Sequence, residues 1–347
     1  MSEADAAALA ASEPGASSAL APWLERQLRP LLLSRSHALL LQGPSGLGQF
    51  DLGLALVRAW LCESRQAGQL ACGHCASCHA IDVKAHADLN LAMPETVMLD
   101  LGWPLAQKAQ EAIDNKERKP SREIRVDAMR DTVVFAQRTS ARGRGKAVFV
   151  YPAERMNTVT ANALLKTLEE PTGDTLLVLA SESAGQLLPT LRSRCVVHTM
   201  AWPGDAEAVQ WLVSKGLAAA QAPALLRAAG ARPQQALALA AEGIDAKAWA
   251  AWPQAIARGD ASAVAGWPPA RLLDGFIKLC HDLMAVHQGA APRFFAPADL
   301  PRGADLAGLS DWTKELYRLA RHAEHPFSAA LLVQAWTARA RRAITAS

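Results

Sequence analysis

The stretch "HALLLQGPSGLGQF" (residues 37–50) is a short apolar run that ends in a glycine-rich loop. The run "HALLLQ" (37–42) has the length and composition of a buried strand, and helical spacing follows from Asp51 to Cys62. A glycine loop between a strand and a helix is the setting of a phosphate-binding loop, whose pattern is G-x-x-x-x-G-K-S/T. Gly43 and Gly48 stand at that spacing. The lysine that would neutralise phosphate oxygens is Gln49, and the hydroxyl that would hold Mg²⁺ is Phe50. Taken alone, the loop reads equally well as a bare glycine turn.

Three more apolar runs read as buried strands: "KAVFVY" (146–151), "TLLVLA" (175–180) and "CVVHTM" (195–200). Helical patterns lie between them, which predicts an α/β P-loop NTPase-like domain, a parallel sheet covered by helices. Beyond "AWPGD" (201–205) the strand-like runs stop and Ala/Leu-rich helical patterns continue to the end. The expected division is a flexible tail over 1–21, an α/β domain over 22–202, a small helical domain over 203–243 and an all-α domain over 244–347. Residues 99–122, ending in "NKERKPSR", read as a solvated insertion or long loop. With 20% charged residues and a net charge of +3, the total does not suit a strongly basic nucleic-acid binder. The basic groups in "KERKPSREIR" (116–125), with Arg138, Arg142, Arg144 and Lys146, are candidates for local phosphate contacts. The first residues lack the basic start and apolar core of a secretory signal, and no apolar run approaches a membrane span. A cytoplasmic protein with no membrane partner is expected.

Four of the six cysteines, Cys62, Cys72, Cys75 and Cys78, crowd together in two C-x-x-C steps that share Cys75. In a reducing compartment such crowding points to metal rather than disulfides. Four thiolates suit tetrahedral Zn²⁺, with His74 and His79 as substitutes, and an iron–sulfur centre has overlapping spacing. With every coordination position filled by protein, the role reads as structural. The metal module is expected over 62–78.

The run "NALLKTLEEP" (162–171), with Ala161 just before it, carries an i, i+3, i+4, i+7 stripe of Ala161, Leu164, Leu165 and Leu168, ended by Pro171. The whole string resembles the clamp-loader branch of the AAA+ ATPases. In that family an Asp-Glu pair precedes this asparagine by eleven and ten residues; here those positions are Tyr151 and Pro152, with Glu154 two residues further on. "LLPTLRSRC" (187–195) resembles the family's Ser-Arg-Cys motif, matched by Ser193, Arg194 and Cys195. "ARPQQAL" resembles the lid segment that carries a second sensor arginine, but Gln234 holds the position and Arg232 is displaced by two. Bacterial members carry a zinc module after the phosphate-loop helix, where the cysteines lie here. "AEHPFSAALLVQAW" (323–336) resembles the family's final helix.

The resemblance, which covers residues 37–200 best, implies an AAA+ core with a structural zinc, a helical lid and a helical collar that closes a hetero-pentameric ring. It implies partners: the gamma/tau ATPase subunits and delta of a DNA polymerase III clamp loader, and through them the sliding clamp and primed DNA. The chain would then be a subunit of a DNA-directed DNA polymerase holoenzyme. With Gln49, Phe50 and Tyr151-Pro152 at the positions of lysine, metal ligand and acids, no ATP hydrolysis is expected. Arg194 would act as an arginine finger in a neighbour's site, since a guanidinium is always charged and fits a γ-phosphate. An active ATPase with unconventional residues, which would turn over ATP–Mg²⁺ alone, is the alternative. A zinc-ribbon DNA binder, whose binding would be steeply salt-dependent, is a further rival.

Overall fold

A computed structural model describes residues 20–345 apart from 35, 67 and 321–328. Nearly all of the expected tail, and the start of the 323–336 string, lie outside the described residues. The chain divides into two compact units, one running to Pro203 and the other beginning at Gly204.

The first unit is built on five parallel strands: β1 (Ala38–Gln42), β2 (Leu89–Ala92), β3 (Lys146–Val150), β4 (Thr175–Ser181) and β5 (Val196–Thr199), in the order β2-β3-β4-β1-β5. Parallel neighbours need crossovers, and helices supply them: α1 (Pro22–Leu32) precedes β1, and α2 (Gln49–Leu61) and α3 (Ala76–Asp82) follow it. Then come α4 (Glu95–Asp100), α5 (Gln107–Asp114) and α6 (Val126–Gln137) before β3, with α7 (Thr158–Glu169) before β4 and α8 (Pro189–Arg192) before β5. β3 and β4 are buried along their whole length and β1 along all but its last residue, as near-continuous apolar runs should be in a sheet covered on both faces. α7 buries Ala161, Leu164 and Leu168 against this sheet, and Pro171 follows its end.

Two expectations need correcting. The run at 195–200 forms a strand, but an edge one: Val196 and Val197 are 52% and 43% exposed, because β5 has a neighbour on one side only. The segment 99–122 is not a plain loop, since it holds α5, an eight-residue helix with no buried residue. It is tied down where Arg118 grips Glu95 through two bonds of 2.5 and 2.7 Å.

The second unit contains α9 (Asp205–Ser214), α10 (Ala222–Ala228), α11 (Pro233–Ala241), α12 (Ala246–Ala257), α13 (Pro269–His287), α14 (Leu306–Ala320) and α15 (Ala329–Thr345). One continuous apolar cluster runs from Ala208 to Ile344, centred on Trp249, Trp252, Phe276, Phe295 and Trp312. Asp282 is fully buried beside it and accepts from the backbone N–H groups of Arg293, Phe294 and Phe295. That carboxylate fixes the turn after α13. No helix among the described residues is long and apolar enough to cross a membrane.

Candidate functional site

The glycine loop leaves the C-terminal end of β1, between β4 and β5, where open α/β sheets place ligands. Here the chain's own side chains fill it. Gln49 is 1% exposed, and both hydrogens of its amide are spent on the loop backbone, at 2.7 Å to the Gly43 carbonyl and 2.8 Å to that of Pro44. The Trp23 indole donates to the Leu47 carbonyl at 3.2 Å, which locks α1 onto the loop. Gly48 has a φ of 98°, and a Cβ there would lie 2.6 Å from Leu24; one at Gly43 would lie 2.8 Å from Met200. Close packing is therefore enough to require both glycines, whether or not a nucleotide binds.

Phe50 stacks on Phe149 at 5.5 Å and meets Tyr151 at 5.3 Å, so an aromatic trio lies where a metal-binding hydroxyl and an acidic pair would be. The Tyr151 hydroxyl donates to Glu182 at 2.9 Å; burial, then the Glu182 charge, push its pKa far above the ordinary value. Glu154 accepts from the Glu182 N–H at 3.0 Å, a capping role at the end of β4. Gln234, which holds the expected sensor position, falls in the first turn of α11, and Arg232 sits ahead of that helix with its Nε bonded to the Ala229 carbonyl.

Arg194 follows α8 at the surface, its side chain 33% exposed. Its Nε donates to Glu169 at 2.5 Å, its second terminal nitrogen pairs with the same oxygen, and Nη1 donates to the Thr190 carbonyl at 2.8 Å. Glu169 belongs to the "LEEP" string, so the two motifs meet in space. Burial pushes the neighbouring Cys195 thiol up to about 11, which makes it unreactive.

The four cysteines converge. Their sulfurs all lie within 4.8 Å of one another, with Cys62–Cys75 at 3.9 Å and Cys72–Cys78 at 4.0 Å. Four ligands 2.3 Å from a tetrahedral ion would sit about 3.8 Å apart. The donor set fits one such ion, whereas a multi-iron cluster would hold its thiolates further apart. Neither His74 nor His79 joins the group; His74 Nδ1 bonds the Cys72 carbonyl at 2.8 Å. The backbone N–H groups of Cys75 and Cys78 each point at the sulfur three residues back at 3.4 Å, the turn geometry that C-x-x-C spacing allows, and that of Cys72 points at the Cys62 sulfur at 3.4 Å. A backbone bond from His74 is the main cause that lowers Cys72 to about 6, while burial pushes Cys78 up to about 12.

Around the cluster, Glu63 accepts from Ser77 and Arg142, both at 2.8 Å, and Arg144 donates to the carbonyls of Cys62 and Glu63. Asp88 holds the same loop through Ser140 and the N–H groups of Ala141 and Arg142. Lys146 is 3% exposed, and its ammonium donates to the carbonyls of Ala136 and Arg138. Arg118, Arg142, Arg144 and Lys146, four of the nine basic candidates for phosphate contact, thus have partners within the protein. Glu63 and Asp88 had no local motif to reveal them, since each acts on residues distant in sequence; Phe149 and Glu169 lay in recognisable runs, but nothing local announced their partners.

A family model described as "DNA polymerase III, delta subunit" matches residues 30–202. The chain is 40% identical over 177 residues to the DNA polymerase III subunit delta' of Pseudomonas aeruginosa, covering 51% of this chain and 47% of that one. With the subunit delta' of Escherichia coli it shares 35% over 225 residues, covering 63% and 60%. The matches therefore span from about half to three-fifths of these relatives. Among solved structures, a DNA polymerase III gamma-subunit-related protein of Thermotoga maritima aligns at 15% identity and a TM-score of 0.46, covering 92% of this chain and 99% of the other.

Proposed function

Residues 30–202 belong to the family described as DNA polymerase III, delta subunit, and on that footing we propose that this chain is a delta-prime-type subunit of a bacterial clamp loader. It works in the cytoplasm as a non-hydrolysing stator. Its partners are the gamma/tau ATPase subunits and delta in a hetero-pentameric ring that places the sliding clamp on primed DNA. Residues 22–202 serve as its AAA+ domain, 203–243 as the lid and 244–347 as the collar.

One observation carries this reading: the nucleotide loop is filled by Gln49, with the aromatic trio of Phe50, Phe149 and Tyr151 beside it. Phosphoryl transfer needs a lysine, a metal ligand and an acid, and these positions hold Gln49, Phe50 and Tyr151-Pro152. The part left for it is to act in trans, through Arg194. A one-third-exposed ion pair is worth about 1 kcal/mol or less. A neighbour's phosphate can therefore draw Arg194 off Glu169. Cys62, Cys72, Cys75 and Cys78 hold one structural Zn²⁺, which cross-links the end of α2 to the start of α3.

In a ring reconstituted with the partner subunits, Arg194→Ala should lower the DNA-stimulated ATPase while the ring still assembles on gel filtration. Undiminished activity would remove the finger assignment. Turnover of ATP–Mg²⁺ by the isolated chain would replace this reading with that of an active ATPase. Elemental analysis should find about one zinc per chain.

A further inference from the structure

The cysteine cluster poses a charge problem. Four thiolates around one divalent ion leave a net charge of about −2, and Cys62 and Cys78 are 0% exposed. Buried charge is costly unless an opposite charge or hydrogen bonds compensate it. Arg142 and Arg144 are spent on the Glu63 carboxylate and on the carbonyls of Cys62 and Glu63. Arg58 is differently placed.

Arg58 lies in the last turn of α2, four residues before Cys62, and Asp82 ends α3, four residues after Cys78. The i, i+4 spacing on both helices sets this pair one turn from the two buried ligands. One terminal nitrogen of Arg58 donates to Asp82 at 2.8 Å, which orients the guanidinium plane. Its Nε is buried and has no partner. Cys78 and Asp82 lie one turn apart on α3, so the bond to Asp82 brings the guanidinium to the side of that helix that carries the Cys78 sulfur. An orphaned, charged donor beside a buried thiolate has one evident use.

We propose that Arg58 is the charge-balancing partner of the metal centre, donating from its guanidinium to the Cys78 thiolate once a metal is bound, with Asp82 holding it in line. The inference rests on the reading of the four cysteines as a metal site. An N–H···S bond draws electron density from the sulfur and eases repulsion among the four ligands. It should therefore raise metal affinity without adding a ligand.

The test uses the full chain with Zn²⁺ in competition with a chromophoric chelator, and with Co²⁺ as a spectroscopic probe. Arg58→Met keeps the packing stem and removes the charge. It should weaken Zn²⁺ binding about tenfold or more, as loss of an outer partner does, and move the sulfur-to-cobalt charge-transfer band to lower energy. Arg58→Lys, which keeps the charge, should recover most of the affinity, and Asp82→Asn should cost less than Arg58→Met. Arg58→Met binding Zn²⁺ within about twofold of wild type with an unmoved band would overturn the proposal. So would an Asp82→Asn loss as large as that of Arg58→Met, because Arg58 would then serve only the ion pair. Should Arg58→Met fail to fold, Arg58→Gln, which keeps a stem but no charge, still decides: weaker Zn²⁺ binding with a shifted band supports the proposal, and unchanged values in both refute it. Wild-type protein that takes up neither ion would sink the metal reading itself.

Discussion

Gln49 and Phe50 stand where a phosphate-binding loop has two groups that act on a nucleotide, and here both act on the protein. The amide closes the loop on its own carbonyls, and the ring joins Phe149 and Tyr151. Restoring the letters should therefore not restore the chemistry. Gln49→Lys with Phe50→Thr is expected to show no ATP turnover and to lose about 1–3 kcal/mol from two aromatic contacts, read by urea unfolding. At Asp282 a single carboxylate satisfies three backbone N–H groups. Asp282→Ala leaves the Phe295 N–H buried and unpaired and those of Arg293 and Phe294 half-buried, so a loss of about 1–3 kcal/mol is expected by the same measurement. His86 and His198 are both pushed below the ordinary value by burial. Their unfolded forms bind protons more readily, so their stabilisation is intact above about pH 6.5 and is lost as pH falls below it. Imidazole NMR should find both titrating below that value, and unfolding free energy should be lower at pH 5.5 than at pH 7.5.

Elements were legible in the sequence wherever burial made them uniform. The runs of β1, β3 and β4 are apolar because helices cover both faces of the sheet, and the stripe of α7 is apolar on the face it turns to that sheet. β2 escaped notice because Leu89–Ala92 is four residues long and carries Asn90, whose side chain accepts from Thr132. α5 escaped because its apolar side, Ala109, Ala112 and Ile113, spans little more than one turn and none of it is fully buried. An eight-residue helix without tertiary support is marginal in water. Its amides, residues 107–114, should exchange with solvent far faster than those of α7, and equal protection would show that something covers it. The cysteine cluster was readable because its spacing is local. Its surroundings were not: Arg142 reaches Glu63 across 79 residues of sequence. Likewise the meeting of Arg194 with Glu169 joins two motifs that were each visible, but no pattern announces that one holds the other.

The two units have separate cores. The cluster around Leu40, Val148 and Leu177 belongs to the first, and that around Trp252 and Phe276 to the second. A chain built this way need not unfold in one step. Its two parts also carry different reporters. Six of the ten tryptophans (Trp211, Trp249, Trp252, Trp267, Trp312 and Trp336) belong to the second unit, whereas the four clustered cysteines belong to the first. A ligand that binds only the folded form stabilises the part that binds it. If Cys62, Cys72, Cys75 and Cys78 hold a metal, a strong chelator should lower the midpoint of the first unit alone. Calorimetry should then show one transition moving and one staying. Tryptophan fluorescence should follow mainly the stationary one, because its rings are packed in a core that contains no ligand of the metal. A chelator that moved both transitions equally would mean that the metal stabilises the chain as a single cooperative body. One that moved neither would mean that the sulfur cluster contributes nothing to the folded state.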